Sequence, residues 1–240
     1  MSLTTQSIDY TLDGKDFEGL LAIDDSQSGE RPVVLISHAW AGRSSVENAY
    51  AEKVAELGYA GFALDLYGKG VLGQSTEENQ ALMTPFAEDR PMLQARLNAI
   101  IDLVQGLDKV DASKVIFMGF CFGGLCALDV ARSGRDIAGC ASFHGLLGAP
   151  GNTDANTISA KVIAFHGFDD PMASPEDLVA FGQEMTKADA DWQAVAYGQT
   201  MHAFTNPAAN DPSFGTVYNE TAALRAWDSF RTFATECFAN

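Results

Sequence analysis

One segment constrains the fold of this chain more than any other. The apolar run KVIFM (114–118) passes through GFCFGG (119–124) straight into the helix-forming run LCALDVA (125–131). A strand this uniformly apolar is buried on both faces, which requires helices on both sides of a largely parallel sheet. The turn between strand and helix has the spacing small-x-nucleophile-x-small, with Cys121 at its centre. A nucleophile held in such a turn is lifted clear of the sheet by a strained backbone. Residues two positions either side approach each other and must be small. The helix start then offers free N–H groups to developing negative charge, and its dipole favours a thiolate.

The rest of the chain repeats the strand-then-helix alternation. Residues 7–12 and 17–23 flank Asp13-Gly14, a hairpin signal. Strands are expected at 32–37, 59–66, 114–119, 137–143, 161–166 and 192–197. Helices are expected at 44–57, 76–83, 90–107, 123–132, 175–188 and from about 218 to 233. In the third of these, Leu93, Leu97, Ile100, Ile101 and Val104 recur with the 3.6-residue period of a face laid on a sheet. No linker, repeat or low-complexity stretch interrupts the pattern, so residues 1–240 are expected to form one α/β domain.

Composition narrows the partners. The formal net charge of −17 argues against nucleic acid, which needs clustered Lys and Arg, and against an anionic membrane surface. No apolar run reaches the roughly 18–20 residues of a membrane span, and residues 1–10 lack the basic and apolar regions of a signal peptide. A cytoplasmic location is expected. The four cysteines, Cys121, Cys126, Cys140 and Cys237, have no C-x-x-C spacing, so free thiols are expected, Cys126 and Cys140 as small buried hydrophobes. His38, His144, His166 and His202 are scattered without metal-ligand spacing. No metal and no organic cofactor is expected. The oligomeric expectation is a monomer or weak homodimer.

A thiol nucleophile needs a base, and the base needs a carboxylate to hold its tautomer. His202 lies in the polar loop GQTMHAFTNP (198–207) after the last expected strand. HGFDDP (166–171) follows the strand KVIAF and places Asp169 or Asp170 at its carboxyl end. The chain order nucleophile, acid, histidine fits hydrolysis by covalent catalysis. An oxyanion hole needs two N–H donors. Phe122, the residue after the nucleophile, supplies one. The loop HAWAG (38–42) supplies the other, from Trp40 or Ala39. Phe120, Phe122, Trp40, Phe143 and Phe204 suggest an aromatic-lined pocket.

These motifs, HAWAG (38–42), Asp65-Leu66-Tyr67, GFCFGG (119–124), HGFDDP (166–171) and MHAFTNP (201–207), resemble the dienelactone hydrolase family, a Cys-using branch of the α/β-hydrolases, from about Val33 to the last helix. The resemblance implies an α/β-hydrolase fold, a mostly parallel eight-stranded sheet with helices on both faces. It implies a catalytic set of Cys121, Asp170 and His202, because the family acid is the Asp immediately before Pro. It also implies cleavage of a small-molecule ester or lactone through a thioester.

Two departures bear on the substrate. At Ala39 the family commonly has a Glu that contacts the resting thiol. At Asn206 members acting on dienelactone carry an Arg for the substrate carboxylate, and a second Arg would have to come from Arg90 or Arg96. Ala39, Phe120, Phe204 and Asn206 are the expected substrate contacts. Dienelactone itself is therefore not the expected substrate. The competing expectation from another class is a non-catalytic small-ligand binder or thiol redox sensor built on the same fold.

Overall fold

The structure is a computed structural model that describes residues 2–239. Its chain opens with an antiparallel pair, β1 (Leu3–Leu12) and β2 (Lys15–Asp24), joined at Asp13 and Gly14. Both turn residues have positive φ, 51° and 74°, the backbone that a two-residue hairpin requires. The pair is longer than the apolar pattern of 7–12 and 17–23 suggests, because backbone pairing continues past the residues that reach the core.

The remaining strands are β3 (Arg31–Ser37), β4 (Ala60–Ala63), β5 (Val110–Phe120), β6 (Gly139–Phe143), β7 (Lys161–Gly167) and β8 (Trp192–Tyr197). With β1 and β2 they form one eight-stranded sheet in the order β1-β2-β4-β3-β5-β6-β7-β8. From β4 to β8 every pairing is parallel. This is the α/β-hydrolase arrangement expected from the sequence. The strand expected over 59–66 pairs only at Ala60–Ala63. Beyond it, the Asp65 side chain takes the amides of Tyr67 and Gly68 and turns the chain away from the sheet.

Helices cover both faces, each over its own core. On one face α3 (Arg90–Gln105), α4 (Phe122–Arg132) and α5 (Pro175–Lys187) pack Leu93, Leu97, Ile100, Leu128 and Phe181 against Val33, Leu35 and Phe117. On the other, α1 (Ser45–Glu56) and α6 (Glu220–Phe238) pack Ala51, Val54, Phe230 and Phe233 against Val34, Ile36 and Ile163. The alternation of strand side chains across the sheet explains the split: Val33 and Leu35 face one way, Val34 and Ile36 the other. The last helix starts two residues later than expected, where the Asn219 side chain accepts from the Ala222 amide and caps it. It also runs five residues further, to Phe238, because Cys237 and Phe238 are still buried in the core. The helix expected at 76–83, α2 (Thr76–Glu88), continues through Pro85, whose missing N–H removes only one backbone bond.

A small hairpin of β9 (Asn210–Asp211) and β10 (Thr216–Val217) follows the His202 loop. Its strands are too short to show a hydrophobic period, so periodicity does not reveal it. All four candidate segments, 38–42, the turn at Cys121, the turn after β7 and the loop after β8, leave the carboxyl ends of parallel strands. Active sites of open α/β sheets gather there. No helix among the described residues is long and apolar enough to cross a membrane.

Candidate active site

Cys121 sits between β5 and α4 with φ 56° and ψ −115°, a strained backbone for any residue with a Cβ. Surrounding contacts hold it there. Its amide donates to the Phe143 carbonyl at 3.0 Å, and its carbonyl accepts from Gly124 and Leu125 at 2.9 and 3.1 Å. The glycines are sterically required. A Cβ on Gly119 would lie 2.2 Å from the Gly123 carbonyl oxygen, and one on Gly123 would lie 2.3 Å from that of Ser37. Cys121 remains partly exposed, whereas Cys126, Cys140 and Cys237 are buried, and all four are free thiols.

His202 and Asp170 come from loops 32 residues apart and meet. His202 Nδ1 lies 2.7 Å from Asp170 Oδ2. The other carboxylate oxygen, Oδ1, accepts from the amides of Met172 and Ala173 at 2.8 and 3.3 Å. That geometry fixes the carboxylate and makes Nδ1 the protonated ring nitrogen. Asp169, the neighbouring acid, points to solvent. The two acids that sequence reading alone leaves open are thus separated by burial. The imidazole is anchored through its backbone as well. Its amide donates to Gly215 and its carbonyl accepts from Val217, at 3.0 and 3.1 Å.

His202 Nε2 is buried and makes no aligned hydrogen bond to a protein group; Cys121 is the neighbour that acts on it most strongly. Burial alone would lower the proton affinity of this imidazole. Attraction to the Cys121 sulfur, then the hydrogen bond to Asp170, outweigh it and lift the pKa to about 10. His144 stands edge-on to His202 with ring centroids 5.2 Å apart. It is kept neutral, first by burial and then by the His202 charge. His166, beneath the same loop, is lowered for the same first reason.

The loop after β3 is held by a histidine with a defined tautomer. His38 Nε2 accepts from the Leu66 amide at 3.2 Å, so Nδ1 carries the proton and donates to the Ala39 carbonyl at 2.7 Å. Tyr67 donates its hydroxyl to the Trp40 carbonyl at 3.1 Å. Phe122, the first residue of α4, has an N–H with no intrahelical acceptor, as every first-turn residue does.

These segments enclose a cavity of about 590 Å³. Cys121, His202, Ala39, Trp40, Phe120 and Asn206 all line it. Phe204, expected as a substrate contact, does not. It is fully buried and packs edge-on against His144 and Tyr197. Phe122 and Phe143 are buried too, with Phe122 stacked on Tyr67 and Phe143 in the opposite core. Of the five aromatics expected in a lined pocket, Trp40 and Phe120 reach it. No group of three or more His, Cys, Asp or Glu among the described residues is arranged to hold a metal.

The family model described as the dienelactone hydrolase family matches residues 17–238. The chain belongs to the dienelactone hydrolase family. It is similar to an uncharacterized protein of Caenorhabditis elegans, 36% identical over 61% of this chain and 95% of the relative. A proposed carboxymethylenebutenolidase of Synechocystis sp. is 27% identical over 87% of each chain. Among solved structures, a dienelactone hydrolase-like promiscuous phosphotriesterase from metagenomic libraries is 30% identical, covers 99% of both chains and superposes with a TM-score of 0.91. The chain is accordingly an ester or lactone hydrolase.

In this dienelactone hydrolase family member, neither of the arginines considered for the substrate site lines the cavity. Arg90 pairs with the buried carboxylate of Asp129. Arg96 lies over the rings of Phe17 and Phe86 and donates to the Leu66 carbonyl. Residues not singled out from sequence do line it, among them Glu47, Met83, His144, Leu146, Asp211 and Phe214. His144 carries a local signal, since it directly follows the strand at 137–143 and so stands at a carboxyl end. Glu47 carries none, because it lies inside a helix whose start is what faces the cavity.

Proposed function

We propose that this family member cleaves a small carboxylic ester or lactone with Cys121 as nucleophile, His202 as acid and base, and Asp170 as the group that orients His202. One observation carries the reading. A buried imidazole is bonded through Nδ1 to a buried carboxylate, and the Cys121 sulfur beside it raises its proton affinity. We read the resting site as a thiolate–imidazolium pair, which does not need the Glu absent at Ala39.

In the reaction the Cys121 sulfur attacks the carbonyl carbon. The oxyanion accepts hydrogen bonds from the N–H groups of Phe122 and Trp40. The His202 Nε2 proton passes to the leaving alkoxide as the C–O bond breaks, leaving a thioester. His202, now neutral, takes a proton from water, whose oxygen attacks the thioester, and the thiolate returns. The elbow, the oxyanion loop and the histidine loop all hang from one sheet, so little reorganisation precedes chemistry.

The test is mass spectrometry of the protein mixed with short 4-nitrophenyl esters and with lactones. An acyl adduct on Cys121 and turnover abolished in Cys121→Ala are expected. Unchanged turnover in Cys121→Ala would refute the assignment. Sulfenic acid on Cys121 with no turnover of any ester or lactone would favour a redox sensor instead.

A further inference from the structure

Apart from the Cys121–His202 pair, the charged residues that line the cavity are both acidic, Glu47 and Asp211, and no Lys or Arg lines it. Each carboxylate is fixed through one oxygen. The Ser44 amide and hydroxyl both donate to Glu47 Oε2 at 2.8 Å. The amides of Ser213 and Phe214 and the Ser213 hydroxyl all donate to Asp211 Oδ1. Those bonds, the Ser213 hydroxyl foremost, hold the Asp211 carboxyl below its usual range and so charged. Glu47 Oε1 and Asp211 Oδ2 keep their acceptor capacity for whatever enters.

Nearby cations are committed elsewhere. Arg43 pairs with Glu18 at 2.7 Å and bonds Asn48, and Arg90 and Arg96 are engaged as described above. In the same lining Trp40 and Phe214 stack at 5.9 Å, and Phe214 is exposed. Aromatic faces attract cations and apolar groups and give a carboxylate nothing. The chain as a whole carries −17, which slows the approach of anions.

We propose that this cavity selects its ester by charge: it takes acyl groups that are apolar or positively charged and rejects acyl groups bearing a carboxylate. The proposal deepens the hydrolase reading above and rests on it. A carboxylate placed in the cavity loses water and meets the buried Glu47 carboxylate and the solvent-facing Asp211 carboxylate, with no Lys or Arg in the lining to pair with it. A trimethylammonium or tert-butyl group of the same shape meets aromatic faces, and the ammonium also meets the two acids.

The experiment uses three 4-nitrophenyl esters of one chain length, ending in tert-butyl, trimethylammonium or carboxylate. The carboxylate ester is expected to show kcat/KM lower than the tert-butyl ester by about 30-fold or more, with the ammonium ester equal to or better than tert-butyl. Equal rates, or a preference for the carboxylate, would overturn the proposal. Asp211→Asn and Glu47→Gln should each compress the ammonium-to-carboxylate ratio by roughly 3–10-fold. An unchanged ratio in both variants, each folded as wild type by circular dichroism, also counts against it. The corresponding N-methyl amides, titrated into Cys121→Ala by calorimetry, read the preference without chemistry. Weakest binding of the carboxylate amide with no ester turned over would sink the hydrolase reading and keep the charge rule; tightest binding of that amide would sink the charge rule.

Discussion

The amide of His202 donates to the carbonyl of Gly215 at 3.0 Å, which ties the imidazole to the short hairpin that carries Phe214 over the cavity mouth. Gly215 has φ +85°, and a Cβ there would lie 2.1 Å from Cγ of Pro171, the residue after Asp170. One position therefore touches the base, the acid turn and the mouth.

Gly215→Ala is expected to destabilise the protein by about 1–3 kcal/mol, from left-handed strain and the Pro171 clash. Because the clash displaces the turn of Asp170, kcat should fall roughly tenfold or more even at temperatures where the variant is folded. Urea unfolding and ester kinetics on the same preparation separate the two effects.

Asp170→Asn keeps the shape of the side chain but cannot hold the Nδ1–H tautomer of His202. It is expected to lower kcat by about 10²–10⁴-fold. Asp169→Asn, one residue away and exposed, should change kcat/KM less than about 2-fold. Equal losses in the two variants would show that the acid acts through the turn rather than through the imidazole.

The His202 pKa is raised, so the folded state favours the charged imidazole, and the proton is held through neutral pH and released as pH rises through about 10. Ester turnover should fall over that same interval, because the imidazolium proton that leaves with the alkoxide is lost. The titration belongs to the Cys121–His202 pair rather than to one group. In Cys121→Ala the raising charge is gone while burial remains, so the imidazole should titrate at lower pH. Following the Nδ1 proton by NMR checks both: a titration unmoved by removing the sulfur contradicts the ion pair.

Gly119→Ala and Gly123→Ala place a methyl against backbone oxygens at 2.2 and 2.3 Å. Backbone cannot swing aside as a long side chain can, so each is expected to cost at least about 2–3 kcal/mol. The same substitution at Gly148, where nothing lies within 4 Å of the added carbon, should be nearly neutral. Thermal unfolding of the three variants side by side tests this.

Much of the architecture was legible because it is local. A buried parallel strand must be apolar throughout, as KVIFM and PVVLI are. A strand-to-helix turn around a nucleophile must have small residues at Gly119 and Gly123, whose missing side chains are where backbones touch. Even where element ends moved, as at Phe238, the cause was a core contact rather than a different element.

What tertiary structure decided is which of several equivalent residues faces the cavity. Asp169 and Asp170 are adjacent and chemically identical, and only burial against Met172, Ala173 and His202 separates them. Phe120 and Phe204 have the same side chain, yet one lines the cavity and the other supports His144 from behind. Glu47 and Asp211 bring carboxylates to the cavity from a helix start and a two-residue strand, with no pattern around them to mark it. Composition and periodicity report the average environment of a segment. The direction in which one side chain points into a shared space is set by elements far away in the chain.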